Sequence, residues 1–156
     1  MDFNKLVGRE DVDFNNNPPG AFLIGLMSVF ENRYQAVADK GIERITWKQF
    51  FILICIDLCK ESPTINQLSE VAGSSHQNVK QILNKLEKLG LVEVTIDEKD
   101  RRRQRVVITD ECRKFYSEIE DNANKVMEKM FEGVSEQEIL STVQTLIKME
   151  RNLRGL

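Results

Sequence analysis

Gly90-Leu91-Val92-Glu93-Val94-Thr95-Ile96-Asp97-Glu98-Lys99-Asp100-Arg101-Arg102-Arg103-Gln104-Arg105-Val106-Val107-Ile108-Thr109 sets two alternating apolar runs around a charged loop. That loop carries four arginines between positions 101 and 105. Alternation at period two marks a strand with one covered face. The stretch predicts a β-hairpin with a cationic tip, in which Val92, Val94 and Ile96 face the helices together with Val106 and Ile108.

Directly before it, residues 64–89 have the dimensions of a helix-turn-helix. Thr64-Ile65-Asn66-Gln67 is a capping box opening a short helix that runs through Val71 and breaks at Gly73. Ser74 or Ser75 caps the next helix, with Ser74 and Gln77 forming a further box, and Gly90 ends it. Val79, Ile82, Leu83, Leu86 and Leu89 share one stripe suited to burial. The opposite face presents Gln77, Asn78, Lys80, Gln81, Asn84 and Lys85, with Ser75 and His76 at its start. Glutamine and asparagine can pair bidentately with adenine, and lysine reaches phosphate or guanine. The N–H groups and dipole at a helix N-terminus attract phosphate. A polar face on an isolated helix more often meets only solvent; the neighbouring hairpin shifts the balance toward DNA. Its loop projects Arg101, Arg102 and Arg103, and a narrow minor groove draws arginine. Arg105 is counted with these DNA-binding cations, while Asp97 and Asp100 orient the arginines or cap the turn.

Working outward, residues 1–17 read as a polar arm with a short turn around Phe3 and Leu6, leading into Pro18-Pro19-Gly20. A helix is expected from Ala21 to about Asp39, ended by Gly41. Thr46-Trp47-Lys48-Gln49 is a capping box for a helix whose body, Phe50 to Leu58, is apolar almost all round and therefore central. Ser62-Pro63 stops it. After the hairpin, Thr109 caps a long helix striped by Phe115, Ile119, Ala123, Val126 and Met130, and Gly133 closes it. Ser135-Glu136-Gln137-Glu138 opens the last helix, striped by Ile139, Val143, Leu146, Met149 and Leu153.

With 156 residues, 41% of them hydrophobic, the chain can bury the core of one compact domain. Its net charge of −3 argues against a wholly basic coat but hides an asymmetry. Residues 74–105 hold eight Lys/Arg and five Asp/Glu, a net of +3, against 14 and 20 elsewhere, a net of −6. A basic patch on an acidic body turns one face toward phosphate. No basic region followed by an apolar run opens the chain, and the longest apolar run, Phe50 to Ile56, is too short for a membrane. Three cysteines do not suggest a disulfide framework, so a reducing cytoplasm is expected.

Cys55 and Cys59, one helical turn apart, read as core thiols. Cys112 lies in a helical first turn, where the dipole lowers a thiol pKa, and is the one candidate for redox sensing. The sole histidine, His76, reads as a phosphate or base contact rather than a metal ligand, since no Cys/His/Asp/Glu cluster has metal-binding spacing. No metal and no cofactor are expected. Neither a Gly-rich phosphate loop nor a nucleophile–base arrangement supports an enzyme. Phe30, Tyr34, Trp47, Phe51 and Tyr116 could line an effector pocket, although each residue type is more often simply core.

Leu68-Ser69-Glu70-Val71-Ala72-Gly73-Ser74-Ser75, Val79, Leu86-Glu87-Lys88-Leu89-Gly90-Leu91-Val92, then Asp97, Asp100-Arg101-Arg102 and Val106-Val107-Ile108-Thr109 resemble the multiple antibiotic resistance regulator (MarR) family. The order of helices on both sides extends the resemblance over nearly the whole chain. It implies a mainly α fold, a winged helix-turn-helix with one β-hairpin wing and N- and C-terminal dimerisation helices. Residues 1–45 would be the arm and first dimerisation helix, 46–109 the DNA-binding region and 110–156 the C-terminal dimerisation helices. The recognition helix would enter the major groove and the wing arginines the flanking minor groove. Two such helices would read a pseudo-palindrome in double-stranded DNA with half-sites about 10 bp apart. The terminal apolar stripes fit a twofold homodimer interface. A small aromatic or phenolic effector bound between the dimerisation and DNA-binding parts, or an oxidised cysteine, would weaken DNA binding. Glu98 stands where proline is common, Cys112 where glycine is common, Gln81 for a frequent arginine and Val94 for a frequent basic residue. The recognition surface is thus less basic than is usual, which shifts weight to the wing.

The expected function is a sequence-specific homodimeric transcriptional repressor of nearby genes, relieved by a small molecule. The alternatives are a thiol-based redox regulator on the same scaffold and a winged-helix module that docks an acidic protein.

Overall fold

The computed structural model describes residues 2–9, 11–97, 100–101 and 103–155. In chain order these form α1 (Phe3–Val7), α2 (Pro19–Ile42), α3 (Trp47–Asp57), α4 (Ile65–Val71), α5 (His76–Lys88), β1 (Val92–Ile96), β2 (Gln104–Ile108), α6 (Asp110–Met130) and α7 (Glu136–Leu153). This is a mainly helical winged helix-turn-helix with one two-stranded wing. The chain divides into two compact units, Met1–Phe115 and Tyr116–Leu156. The division falls inside α6 rather than at 109/110, because the first turns of α6 carry Cys112 and Phe115 into the winged-helix core. The arm and α2 stay with that core, so two units stand where one compact domain was expected.

In the first unit α3 is central and packs against α2, α4, α5 and β2. Its all-round apolarity follows from that position: Ile52, Leu53, Cys55 and Ile56 are buried. Leu68 of α4, Val79, Leu83 and Leu86 of α5, Val106 of β2 and Phe115 of α6 complete the core. The Thr46 and Thr64 capping boxes both form and fix where α3 and α4 begin. At the other end of the unit, Phe3 stacks on Phe22 of α2 at 4.2 Å between centroids, and Asn15 Oδ1 accepts the Phe3 N–H at 2.7 Å. The polar arm is thereby laid against the start of α2.

Both ends of α2 differ from the sequence reading, and at α5 one of its two cap candidates is selected. α2 begins at Pro19, whose fixed φ suits a first turn, and passes through Gly41 to Ile42. It stops at Glu43, which takes φ 48° and ψ −49°, while Arg44 N–H bonds back to Ile42 O. Ser75, not Ser74, caps α5: Gly73 at φ 59° closes α4, and Ser75 then accepts the Asn78 N–H, so no box with Gln77 forms. Leu89 is the C-cap of α5 and is exposed instead of completing the buried stripe.

β1 and β2 are antiparallel, with Val92 opposite Ile108, Val94 opposite Val106 and Ile96 opposite Gln104. Val92, Val106 and Ile108 are buried and Val94 is half-buried. Ile96 shares their face by parity but is 66% exposed, because the strand runs on past the core. Thr109 joins the wing to α6 by accepting the Cys112 N–H at 3.2 Å and donating to Gly90 O at 2.6 Å.

In the second unit, Ser135 and Glu138 form the capping box of α7. Hydrogen bonds from the Ser135 hydroxyl and backbone N–H hold the Glu138 carboxyl below its ordinary pKa. α7 buries none of its residues, and Leu140, Val143, Ile147 and Leu153 are exposed.

Phe115 meets Phe50 edge-on at 6.5 Å and lies under the Arg44 guanidinium at 5.9 Å. Phe115→Ala should cost about 3–5 kcal/mol. A urea titration should show this as an earlier loss of the winged-helix signal; an unchanged midpoint would contradict the packing described.

Candidate nucleic-acid interface

α5 holds its apolar side in the core through Val79, Leu83 and Leu86, which fixes the opposite side outward. His76, Gln77, Asn78, Lys80, Gln81 and Lys85 are all exposed on α5, and its N-cap Ser75 is exposed too. No acidic residue sits in the first turn of the helix. Asn78 is less free than its neighbours, since its Nδ2 donates to Ser74 Oγ at 2.9 Å.

The wing is braced from within. Asp97 is the buried charged residue among the described residues of the first unit. Its carboxylate accepts the Arg105 Nε–H and the Asp100 N–H, the latter at 2.9 Å. Arg105 Nη1 also donates to Ser62 O at 2.6 Å. Next to it the Val106 N–H bonds to Pro63 O at 2.9 Å, and Thr64 bridges Arg105. Arg105 was expected among the DNA cations. The fold instead commits its half-buried guanidinium to Asp97 and the α3–α4 loop, so its charge is neutralised inside the protein. Asp100 acts further out: its carboxylate meets Arg103 Nε at 3.2 Å, and its carbonyl accepts the Arg103 N–H. Arg101 and Arg103 are exposed. Arg102, Glu98 and Lys99 lie outside the described residues.

Two clefts flank this surface. One, of about 460 Å3, runs between the start of α4, His76 and the wing residues Arg103 and Gln104. The other, of about 350 Å3, lies between α2, α3 and the turn before α5, and is lined by Glu31, Trp47, Lys48, Phe51, Gly73 and Asn78 among others. Of the aromatic residues read as an effector pocket, Trp47 and Phe51 line this second cleft. Tyr34 meets the Trp47 ring edge-on at 4.6 Å, and burial pushes its hydroxyl pKa up. Phe30 stacks on Tyr34 but is 55% exposed, and Tyr116 belongs to the second unit.

Cys112, the redox candidate, is fully buried, so an oxidant would have to open the core to reach it. Burial, reinforced by neighbouring Cys59, raises the Cys55 thiol pKa and keeps it neutral. No group of His, Cys, Asp and Glu able to hold a metal occurs among the described residues. No helix of the described residues is long and apolar enough to cross a membrane.

The sequence reading missed the seam between β2 and the α3–α4 loop, and the polar lining contributed by Asn66, Gln67 and Gln104. Pro63, a residue that supplies a carbonyl but no N–H, was the available signal for the seam. Nothing local announced the cleft.

An outward-facing polar helix beside a braced, arginine-bearing hairpin defines the winged helix-turn-helix class. Within that class, residues 45–103 match the family model described as the MarR family. The match spans the helix-turn-helix and most of the wing, and over that stretch the chain is similar to the MarR family. Its fold is that of several solved regulators. BpsR of Bordetella bronchiseptica, whose DNA binding is regulated by 6-hydroxynicotinic acid, is 22% identical with a TM-score of 0.70 over 82% of this chain and 98% of that one. MepR of S. aureus, solved in complex with DNA, is 21% identical with a TM-score of 0.72 over 82% and 95% of the two chains. A MarR/EmrR family regulator from Acinetobacter sp. ADP1 is 15% identical with a TM-score of 0.77 over 90% and 100%.

Breaking the wing brace should be visible without DNA. Asp97→Asn and Arg105→Ala should each cost about 1–3 kcal/mol by leaving a hydrogen-bonded charge without its partner. Both should speed amide exchange at Val106, whose N–H crosses the seam. Unchanged exchange in both variants would show that the ion pair is not the brace.

Proposed function

We propose that the chain is a homodimeric, sequence-specific DNA-binding repressor that a small aromatic or phenolic molecule releases from DNA. The observation that carries this reading is the coupling of α5 and the wing within one compact unit. α5 enters the major groove, where Gln77 and Gln81 meet base edges and Lys80 and Lys85 meet phosphate. Arg101 and Arg102 reach the flanking minor groove, and Arg103 meets the adjoining phosphate backbone. MepR, solved with DNA, supports this use of the fold. Residues 46–109 serve as the DNA-binding region, in the cytoplasm, where the DNA is.

In the second unit the exposed apolar residues of α7, including Val143 and Ile147, offer a face to a second copy, and in the first unit Ile24 and Phe30 of α2 are exposed as well. The 350 Å3 cleft is the effector site: Trp47 and Phe51 suit an aromatic ring, and Asn78 and the Gly73-Ser74 turn carry occupancy to the start of α5. BpsR, whose DNA binding responds to 6-hydroxynicotinic acid, supports a ring-shaped effector.

Arg101→Ala with Arg103→Ala should weaken duplex binding on every sequence and lower the salt slope by about one per lost phosphate contact. Gln77→Ala or Gln81→Ala should instead change the preferred sequence, by about 1–3 kcal/mol per base contact. Binding isotherms on selected oligonucleotides test both, and an arginine double variant that binds like the parent sinks the DNA reading. In sedimentation, the parent chain should run as a dimer and Ile147→Glu as a monomer with much weaker operator binding; a monomeric parent refutes the dimer.

A further inference from the structure

The described lining of the 460 Å3 cleft is of one chemical kind. Among its described lining residues are an imidazole, His76 at the start of α5, and a guanidinium, Arg103 on the wing. The amides of Asn66, Gln67 and Gln104 surround them, and no carboxylate is among the described lining. The Gln67 carbonyl oxygen is spent on the Thr64 N–H, which leaves its NH2 group to donate. Asp100 meets Arg103 from the loop side, and Lys80 lies one turn along α5 from His76. α4 contributes only uncharged Thr64, Ile65, Asn66 and Gln67 to the wall facing His76.

We infer that this cleft is a proton-linked seat for one phosphate group, held by His76 and Arg103. The inference rests on the DNA-binding reading for its source of phosphate. With α5 in one groove and the wing in the next, the sugar-phosphate backbone between those grooves passes over the cleft that separates α5 from the wing. A phosphate there gains charge-assisted hydrogen bonds from Arg103 at any pH near neutrality. It gains them from His76 only when the imidazole is protonated, and imidazole is the side chain that changes charge between about pH 5 and 8. Binding of phosphate and of the proton therefore strengthen one another by linkage. Free inorganic phosphate offers the same oxyanion as the DNA backbone, and the two sources are separable by experiment.

His76 is the only histidine, so its imidazole NMR resonance is unambiguous in the intact chain. Its titration is followed in the protein alone, with mixed-sequence duplex DNA at low salt, and with inorganic phosphate. The duplex should raise the His76 midpoint by about one pH unit, and duplex affinity should be about tenfold higher at pH 5.5 than at pH 8. His76→Gln should remove this pH dependence, and Arg103→Gln should shrink the midpoint shift. A midpoint raised by inorganic phosphate but not by duplex supports the seat and assigns it to a free anion. Duplex binding that leaves the midpoint where it was, together with no effect of inorganic phosphate, overturns the seat and leaves the regulator reading standing. Failure to bind duplex at any pH refutes that reading instead, and the inorganic phosphate titration alone then decides the seat.

Discussion

The second wing strand is bonded on both of its edges, and the placing of the wing beside α5 depends on that. One edge of β2 pairs with β1; the other gives the Val106 N–H to Pro63 O and the Arg105 guanidinium to Ser62 O. A two-stranded hairpin alone is marginal in water, because it leaves polar edges open and has only one face to bury. The seam closes one such edge at the loop that also caps α4. Asp97 then fixes the far end of the hairpin by holding both Arg105 and the turn at Asp100. As α4 packs on α5 and β1 on the same helix, the arginine loop and the polar helix are set relative to each other by contacts within one core. A wing held this way is preorganised, whereas ordering a loose wing on contact with a partner would offset part of any binding free energy.

What sequence made legible divides along the range of the interactions involved. The boxes at Thr46, Thr64 and Ser135 were readable because residue i and residue i+3 satisfy one another without reference to the rest of the chain. The hairpin was readable because strand parity is local. Ser75 displaced Ser74 for a reason that needs the turn: a left-handed Gly73 takes up one residue, so the next extended position falls on Ser75. Arg105 could not be separated from its neighbours by composition, since its partners Ser62 and Asp97 are brought to it only by the fold. Ile96 keeps the parity of a buried residue, but parity does not say where the core ends. The clefts depend on three or more elements each and left no local trace.

Charge is distributed unevenly along the chain. The body is acidic, and the positive excess is confined to residues 74–105. Within that stretch the acidic residues are placed to shape the cations: Asp97 pairs with a half-buried Arg105, while Asp100 orients Arg103 and leaves it exposed. Net charge would have understated this surface, and a simple count of arginines would have overstated it.

Glu43 concentrates another cost of the fold in one residue. A side chain with a Cβ held at φ 48° and ψ −49° stores on the order of 1–3 kcal/mol, a substantial share of the 5–15 kcal/mol that keeps a typical domain folded. The surroundings that enforce it are visible: Arg44, the next residue, is tied to Glu111 at 3.0 Å and reaches the Leu89 carbonyl, so the chain must turn sharply to deliver it. Thermal robustness in this protein is therefore not limited by its core alone. A glycine at this exposed turn would relax the backbone at the entropic expense of a looser unfolded chain, and whichever of those two quantities is larger sets how much heat tolerance the scaffold has in reserve.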